Sequence, residues 1–504
     1  MRPSQRGLFP LLVAPVALVL FWLVVGPHLK LVRDSLSGAA GLTLEGYRIF
    51  FGGRPGVPGN AELEALGNSL LVALGSVLLA GLVGVPLAFI FQRYEFPGRR
   101  IFAGLAMVPV LLPPLVGVVA FYFLYAESGV VTELIERLFR LESPPWRFTG
   151  LGAVLVVHAY SMYVYYYAFV TAGLARLDPS QAEAAATLGA GPARRLFTVL
   201  LPLLTPALVG AALLVFMTSM ASFTAPLMFN VRVLTIQILN SRTDEQWLLM
   251  NTEIVVLAAV CIGFLALLRA VENRGRYLGG SKGSAGRRLP VRSGWARWTL
   301  AGVGVVAVLV LLLPHAMLLL MSFADEASWT TQILPPRYTT AAWRYVFATP
   351  AGQIPFINSS AMALQATVAD VGFALAAGYL FSRFRFRGRG WLEAAAMLPY
   401  AIPGTIIALA LAEWFSVRQW YLGRTVLIST YAILPLAYFV RNLPLAVRAV
   451  QASLAQVDPT LEEAAATLGS SPAVALRRVV APLVAPGALA GGVLAMVAAL
   501  GEFV

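Results

Sequence analysis

The chain has 504 residues, 59% of them hydrophobic and 12% charged, with a mean hydropathy of +0.77. An ordinary soluble domain is about 25% charged, so a water-soluble fold, a disordered chain and a coiled coil are excluded and a polytopic, all-α membrane protein is left. The formal charge of +13 invites a nucleic-acid reading, which the placement of that charge removes.

A bilayer-crossing helix needs roughly 20 mostly apolar residues. Such runs fall at 8–27, 67–91, 101–125, 149–175, 203–229 and 249–269, and again at 298–321, 358–381, 391–415, 425–446 and 483–504, eleven in all. The first follows Arg2 and Arg6 and lacks a small-residue cleavage site, so it reads as a retained helix. With the N-terminus in the cytoplasm, the inner segments hold 24 of the 37 Lys and Arg, and the outer ones hold 13 beside 12 acidic residues. This is a positive-inside pattern facing anionic lipid, not a nucleic-acid stripe. The basic stretch Arg269–Arg297 reads as a cytoplasmic linker, and its GGSKGSAG (279–286) lacks the preceding strand that a phosphate loop requires. Cys261 stands alone and the three histidines are scattered, so no disulfide, metal site or other cofactor is expected.

The chain repeats itself. DPSQAEAAATLG at 178–189 returns as DPTLEEAAATLG at 458–469, and 16 of 30 positions are identical between 177–206 and 457–486. Upstream the offset changes from 280 to 290: Asn68-Ser69 matches Asn358-Ser359, FQRYEFPGR (91–99) matches FSRFRFRGR (381–389), and Met107, Pro109 and Pro113 match Met397, Pro399 and Pro403. The first half therefore carries ten extra residues, placed in the outer loop 126–148. Six crossings per half make the repeats parallel. The division is 1–269, a linker at 270–297, and 298–504. Ser222-Phe223-Thr224 aligns with Glu502-Phe503-Val504, so the second half is expected to lack a last span in this chain.

Both repeated loops fall on the cytoplasmic side. Asp178 followed by Pro179 starts a helix, Gln181 could complete a capping box in the first copy, and Ser471 can cap the helix after the second turn. Glu183-Ala184-Ala185-Ala186 is strongly helical, and Gly189 and Gly469 supply the left-handed turn that ends each helix. The pattern is Glu-Ala-Ala, Gly six residues after the Glu, and Pro thirteen beyond that. It resembles the EAA loop of binding-protein-dependent ABC importer permeases. The whole chain looks like two such permease domains fused, most similar to the ferric-iron permeases.

The resemblance implies that Glu183, Ala184, Ala185 and Gly189, with Glu463, Ala464, Ala465 and Gly469, form two coupling helices. It implies as partners two copies of a cytoplasmic ABC ATPase subunit and a periplasmic solute-binding protein, and a place in the bacterial inner membrane. The cargo it implies is ferric iron moved by alternating access, with thiamine or polyamine as alternatives; the chain itself is no enzyme. An ion-coupled secondary transporter would need paired mid-membrane carboxylates, and only Asp370 is clearly mid-span.

Ionisable groups in spans are costly and mark function. Glu253, Glu393 and Glu413 are expected near span ends, where solvation is easy. Asp370, whose repeat partner is Ala80, is expected either to hydrogen-bond between helices or to line the path. Glu502, aligned with Ser222, divides the same way, and Ser222, Phe223, Asp370, Glu502 and Phe503 are the candidate path residues. Tyr160, Tyr163, Tyr165, Tyr166 and Tyr167 could ligate ferric iron, but packing is the favoured reading, because a tight site would stall conduction.

Overall fold

The structure is a computed structural model and describes residues 8–38, 41–54, 56, 58–274, 288–291, 293–325, 328–329, 333–418 and 425–502. Among these, nine helices are long and apolar enough to cross a membrane, or eleven when each of two bent pairs counts as one span. In chain order they are Leu8–Ser35, Ala61–Arg93, Pro114–Phe139, Gly150–Arg176, the pair Pro192–Leu203 and Thr205–Met220, Trp247–Glu272, Gly294–Phe323, Pro350–Arg383, the pair Arg389–Ala401 and Gly404–Trp414, Ile433–Leu454, and Pro472–Leu500. They are called the first to the eleventh span. The strands among the described residues are two-residue pairs; one joins Tyr94–Glu95 in parallel to Leu289–Pro290, just before the seventh span. The GGSKGSAG stretch and Phe503 lie outside the described residues.

Proline sets the departures from straight spans. The expected run 101–125 is broken into Arg99–Leu105, a 3-10 turn Val108–Leu111 and Pro114–Tyr125, since Pro109, Pro113 and Pro114 have no N–H to continue the ladder. The fifth span starts at Pro192, bends by 69° between Pro202 and Pro206 and stops at Met220, where a run to 229 was expected. The ninth bends by 113° at Ile402-Pro403. The tenth starts at Ile433, not 425, because Leu427–Ser429 close a 3-10 turn and the Thr430 hydroxyl donates to the Leu427 carbonyl (2.7 Å). Three π-turns, Phe21–Val25, Leu196–Leu200 and Leu476–Val480, each end two residues before a proline, Pro27, Pro202 or Pro482. Ahead of each proline the ladder widens by one residue, as a ring that crowds the preceding turn requires.

Carbonyls freed at these breaks need donors, because lipid supplies none. In the first half Tyr163 donates to Ala106 (2.6 Å) and Tyr167 to Ala103 (3.1 Å). In the second half Arg441 donates to Pro399 (3.0 Å) and Ile402 (3.2 Å).

Each half packs a three-helix core, the second, fourth and fifth spans in one and the eighth, tenth and eleventh in the other. Small residues let the backbones approach. A Cβ at Gly84 would run into the Tyr163 carbonyl and the Tyr166 Cβ (2.7 Å), and one at Gly378 would meet Val450 Cγ1 at 2.6 Å.

The leading span of each half packs on the other half. Phe9 sits 5.6 Å from Phe384 and 5.2 Å from Phe386, Trp22 sits 5.5 Å from Phe415, and Lys30 pairs with Glu413 at 3.2 Å. Reciprocally, the seventh span receives a hydrogen bond from Tyr160 at its Leu311 carbonyl (2.7 Å) and packs on the broken third span. The halves read from sequence are thus interlocked, not laid side by side.

Candidate coupling surface and translocation path

The first repeated loop is a helix, Pro179–Thr187, capped by Asp178, whose carboxylate accepts from the Ser180 N–H (2.9 Å). At its end Gly189 takes φ +83°, its N–H donates to the Ala186 carbonyl (3.0 Å), and the Ala190 N–H reaches back to Ala185 (3.0 Å). The second copy, Thr460–Thr467, repeats each feature: Gly469 has φ +80°, its N–H donates to Ala466 (3.0 Å), and the Ser470 N–H donates to Ala465 (3.0 Å). Both are Schellman endings, which a left-handed glycine makes accessible. Asp458 accepts from the Thr460 N–H (2.9 Å), and that bond, followed by the Thr460 hydroxyl, holds its carboxyl below the usual aspartate range. Ser471 then accepts from the Val474 N–H and starts the helix that enters the eleventh span.

These loops are exposed. No described residue of either helix is buried, Ala185 and Ala465 are half-buried, and Glu183, Ala184, Glu463 and Ala464 face out. Leu188 and Leu468, in register between the copies, are each 88% exposed. An isolated exposed leucine is ordinary; two at equivalent tips, each beside an alanine face, form a repeated apolar knob. Six spans lie between the loops when each bent pair is counted as one.

A buried polar cluster sits where the fifth span ends. His158 Nδ1 lies 3.0 Å from Ser76 Oγ and 3.1 Å from Ser219 Oγ, and its Nε2 lies 2.9 Å from Ser222 Oγ. Ser76 gives its own proton to the Val72 carbonyl (2.6 Å), so its oxygen accepts. The network therefore assigns the ring proton to Nδ1 and leaves Nε2 accepting from Ser222. Ser222 is half-buried, and its carbonyl accepts from Thr235 (2.8 Å). In the repeat, His158 corresponds to Tyr438 and Ser222 to Glu502. Tyr438 and Glu502 are close enough to interact electrostatically. Ser76 and Ser219 escaped the sequence reading. The 280 offset that pairs His158 with Tyr438 and Ser222 with Glu502 was the available signal.

The other candidates divide. Phe223 is half-buried beside Ser222. Asp370 is 1% exposed, and both its carboxylate oxygens are buried without a hydrogen-bond partner, so the interhelical bond expected of it is absent. One turn before it on the same span, the Thr367 hydroxyl is likewise buried without a partner. Glu253 also departs from expectation: it is fully buried and accepts from Ser241 (2.9 Å), because the helix Leu234–Thr243 folds back over the sixth span. Glu413 and Glu393 are partly exposed and paired, Glu413 with Lys30 and Glu393 with Arg448 (3.7 Å). Tyr160, Tyr163 and Tyr167 spend their hydroxyls on backbone carbonyls, which is the packing role. Among the described residues no group of three or more His, Cys, Asp or Glu is placed to hold a metal ion.

Comparison with known proteins adds to this geometry. The sequence profile of the family "binding-protein-dependent transport system inner membrane component" matches residues 80–277 and again 371–504. The chain is 30% identical over 416 residues to a probable ABC transporter permease of Sinorhizobium fredii, covering 81% of this chain and 72% of that one. It is 25% identical over 427 residues to the ferric transport system permease of Actinobacillus pleuropneumoniae, covering 82% of this chain and 60% of the relative. A sulfate transport system permease of Salmonella typhimurium is 36% identical over 146 residues, 28% of this chain and 53% of its own.

Proposed function

Given that the chain belongs to the family of binding-protein-dependent transport system inner membrane components, we propose that it is the permease of an ATP-driven importer whose ferric-iron cargo crosses between two interlocked halves. Both repeated loops face the cytoplasm, as does the N-terminus. Each loop docks on one copy of a separate ABC ATPase through Glu183, Ala184 and Ala185 or Glu463, Ala464 and Ala465, and a solute-binding protein delivers cargo from the periplasm. The halves are 1–269 and 298–504, joined by the basic linker 270–297. The observation that carries this reading is the duplicated loop, identical in its left-handed ending and in the exposure of Leu188 and Leu468.

Hydrolysis of ATP belongs to the partner; the permease converts its closure into movement. Closing the two ATPase subunits draws the knobs together, and the halves swing to open toward the periplasm. The loops must engage differently in the two states, since a partner with equal affinity for both shifts nothing. Ser222 and Phe223, with Asp370, Glu502 and Phe503, are proposed to line the path.

Iron is favoured over sulfate by coverage: the ferric relative aligns over 82% of this chain and the sulfate relative over 28%. Uptake by cells carrying the complete transporter tests both points. Radiolabelled ferric iron should accumulate, radiolabelled sulfate should not, and the reverse result would reassign the cargo. Gly189→Pro together with Gly469→Pro should abolish uptake while membrane insertion persists, because proline cannot take the left-handed φ that each turn needs. Undiminished uptake in that variant would remove the coupling role.

A further inference from the structure

Glu462 is set apart from the rest of the repeated loop. Its Oε1 accepts from Arg383 Nε (2.8 Å) and its Oε2 from the Tyr379 hydroxyl (2.7 Å), and a second Arg383 nitrogen donates to the Val457 carbonyl (2.8 Å). The pair is nearly buried, with side chains 9% and 13% exposed for Glu462 and Arg383. Arg383 thus grips the second loop at two points, ahead of its helix and within it, and its charge also reaches Asp458. Tyr379 and Arg383 stand one turn apart at the end of the eighth span. That span packs against the tenth at Gly378 and against the eleventh at Gly492. A pull on Glu462 is therefore a pull on the second half's core.

The first copy offers no equivalent carboxylate. At the aligned positions, Arg93 is retained, but Phe89 stands for Tyr379 and Ala182 for Glu462. We propose that the two coupling loops are mechanically unequal: Glu462, Arg383 and Tyr379 latch the second loop to the eighth span, so that motor closure reaches the second half through that helix. Glu462 is a positioning residue in this scheme, and the proposal rests on the loops being coupling loops. A nearly buried ion pair is a suitable link because removing one partner strands the other charge.

The test uses the complete transporter, with its ATPase and binding protein, in proteoliposomes, and reads solute taken up per ATP hydrolysed. The solute is whichever of ferric iron or sulfate the uptake assay assigns. Glu462→Gln should keep hydrolysis while uptake per ATP falls about tenfold, the order of an intersite coupling. Tyr379→Phe, which deletes one hydroxyl, should move the ratio the same way. The exchange of Arg383→Glu with Glu462→Arg should restore it. An unchanged ratio in both single variants would overturn the latch and leave the coupling loops standing. Loss of hydrolysis with failure of the ATPase to co-purify would also overturn it, since Glu462 would then hold the motor instead of transmitting its movement. Full uptake in the double glycine variant would instead overturn the reading beneath it.

Discussion

Asp458 caps a helix that Glu462 anchors on one face and that is exposed on the others, where the cap and the glycine turn supply the local order. Its carboxyl is held below the usual aspartate range, first by the Thr460 N–H. A group depressed on folding contributes stability that is present above its unfolded value and lost as pH falls through its folded one. The helix Thr460–Thr467 should therefore stay protected through the neutral range and fray only in acid, below where free aspartate titrates. Hydrogen exchange of its amides, corrected for intrinsic rates, measures this, and fraying that starts near neutral pH would contradict it. The cap was legible from Asp-Pro alone, as were Gly189 and Gly469, because each is a local signal whose physics is complete within a few residues. Asp370 was legible as an unusual residue but not as an unpartnered one, since whether a buried carboxylate finds a donor depends on tertiary packing that no local signal encodes. Glu253 was misjudged because what buries it is the helix just before its span, folding back from the preceding loop.

Among the elements, the spans were legible because roughly 20 apolar residues have few other uses, and their breaks because proline marks them. The geometry of the breaks was not legible: the 113° bend of the ninth span depends on Arg441 arriving to satisfy the carbonyls of Pro399 and Ile402, and the break after Leu105 on Tyr163 and Tyr167 reaching Ala106 and Ala103. Where helices touch through glycine the tolerance is small. Gly84→Ala should destabilise the protein by about 1–3 kcal/mol, as overpacking in a filled interior does, because its Cβ would strike the Tyr163 carbonyl and Tyr166. Gly104→Ala, with open space beside it, should leave stability unchanged. Melting in detergent compares the two, and equal melting temperatures would show that the second and fourth spans can part.

For the molecule as a whole, sequence supplied the parallel repeat and structure supplied the interlock. The first span packs on the second half and the seventh on the first. No periodicity in either segment announces its partner, because lipid-facing and helix-facing surfaces are equally apolar. The interlock means that neither half can swing without carrying a helix of the other, and the two loops are the exposed handles common to both. Their shared sidedness is what the transport mechanism requires. In a Cys261→Ser background, Ala185→Cys and Ala465→Cys can each be labelled with a membrane-impermeant maleimide in inverted vesicles and in right-side-out spheroplasts. Both cysteines should react in inverted vesicles and stay silent in spheroplasts; labelling of the two from opposite sides of the membrane would contradict the mechanism outright.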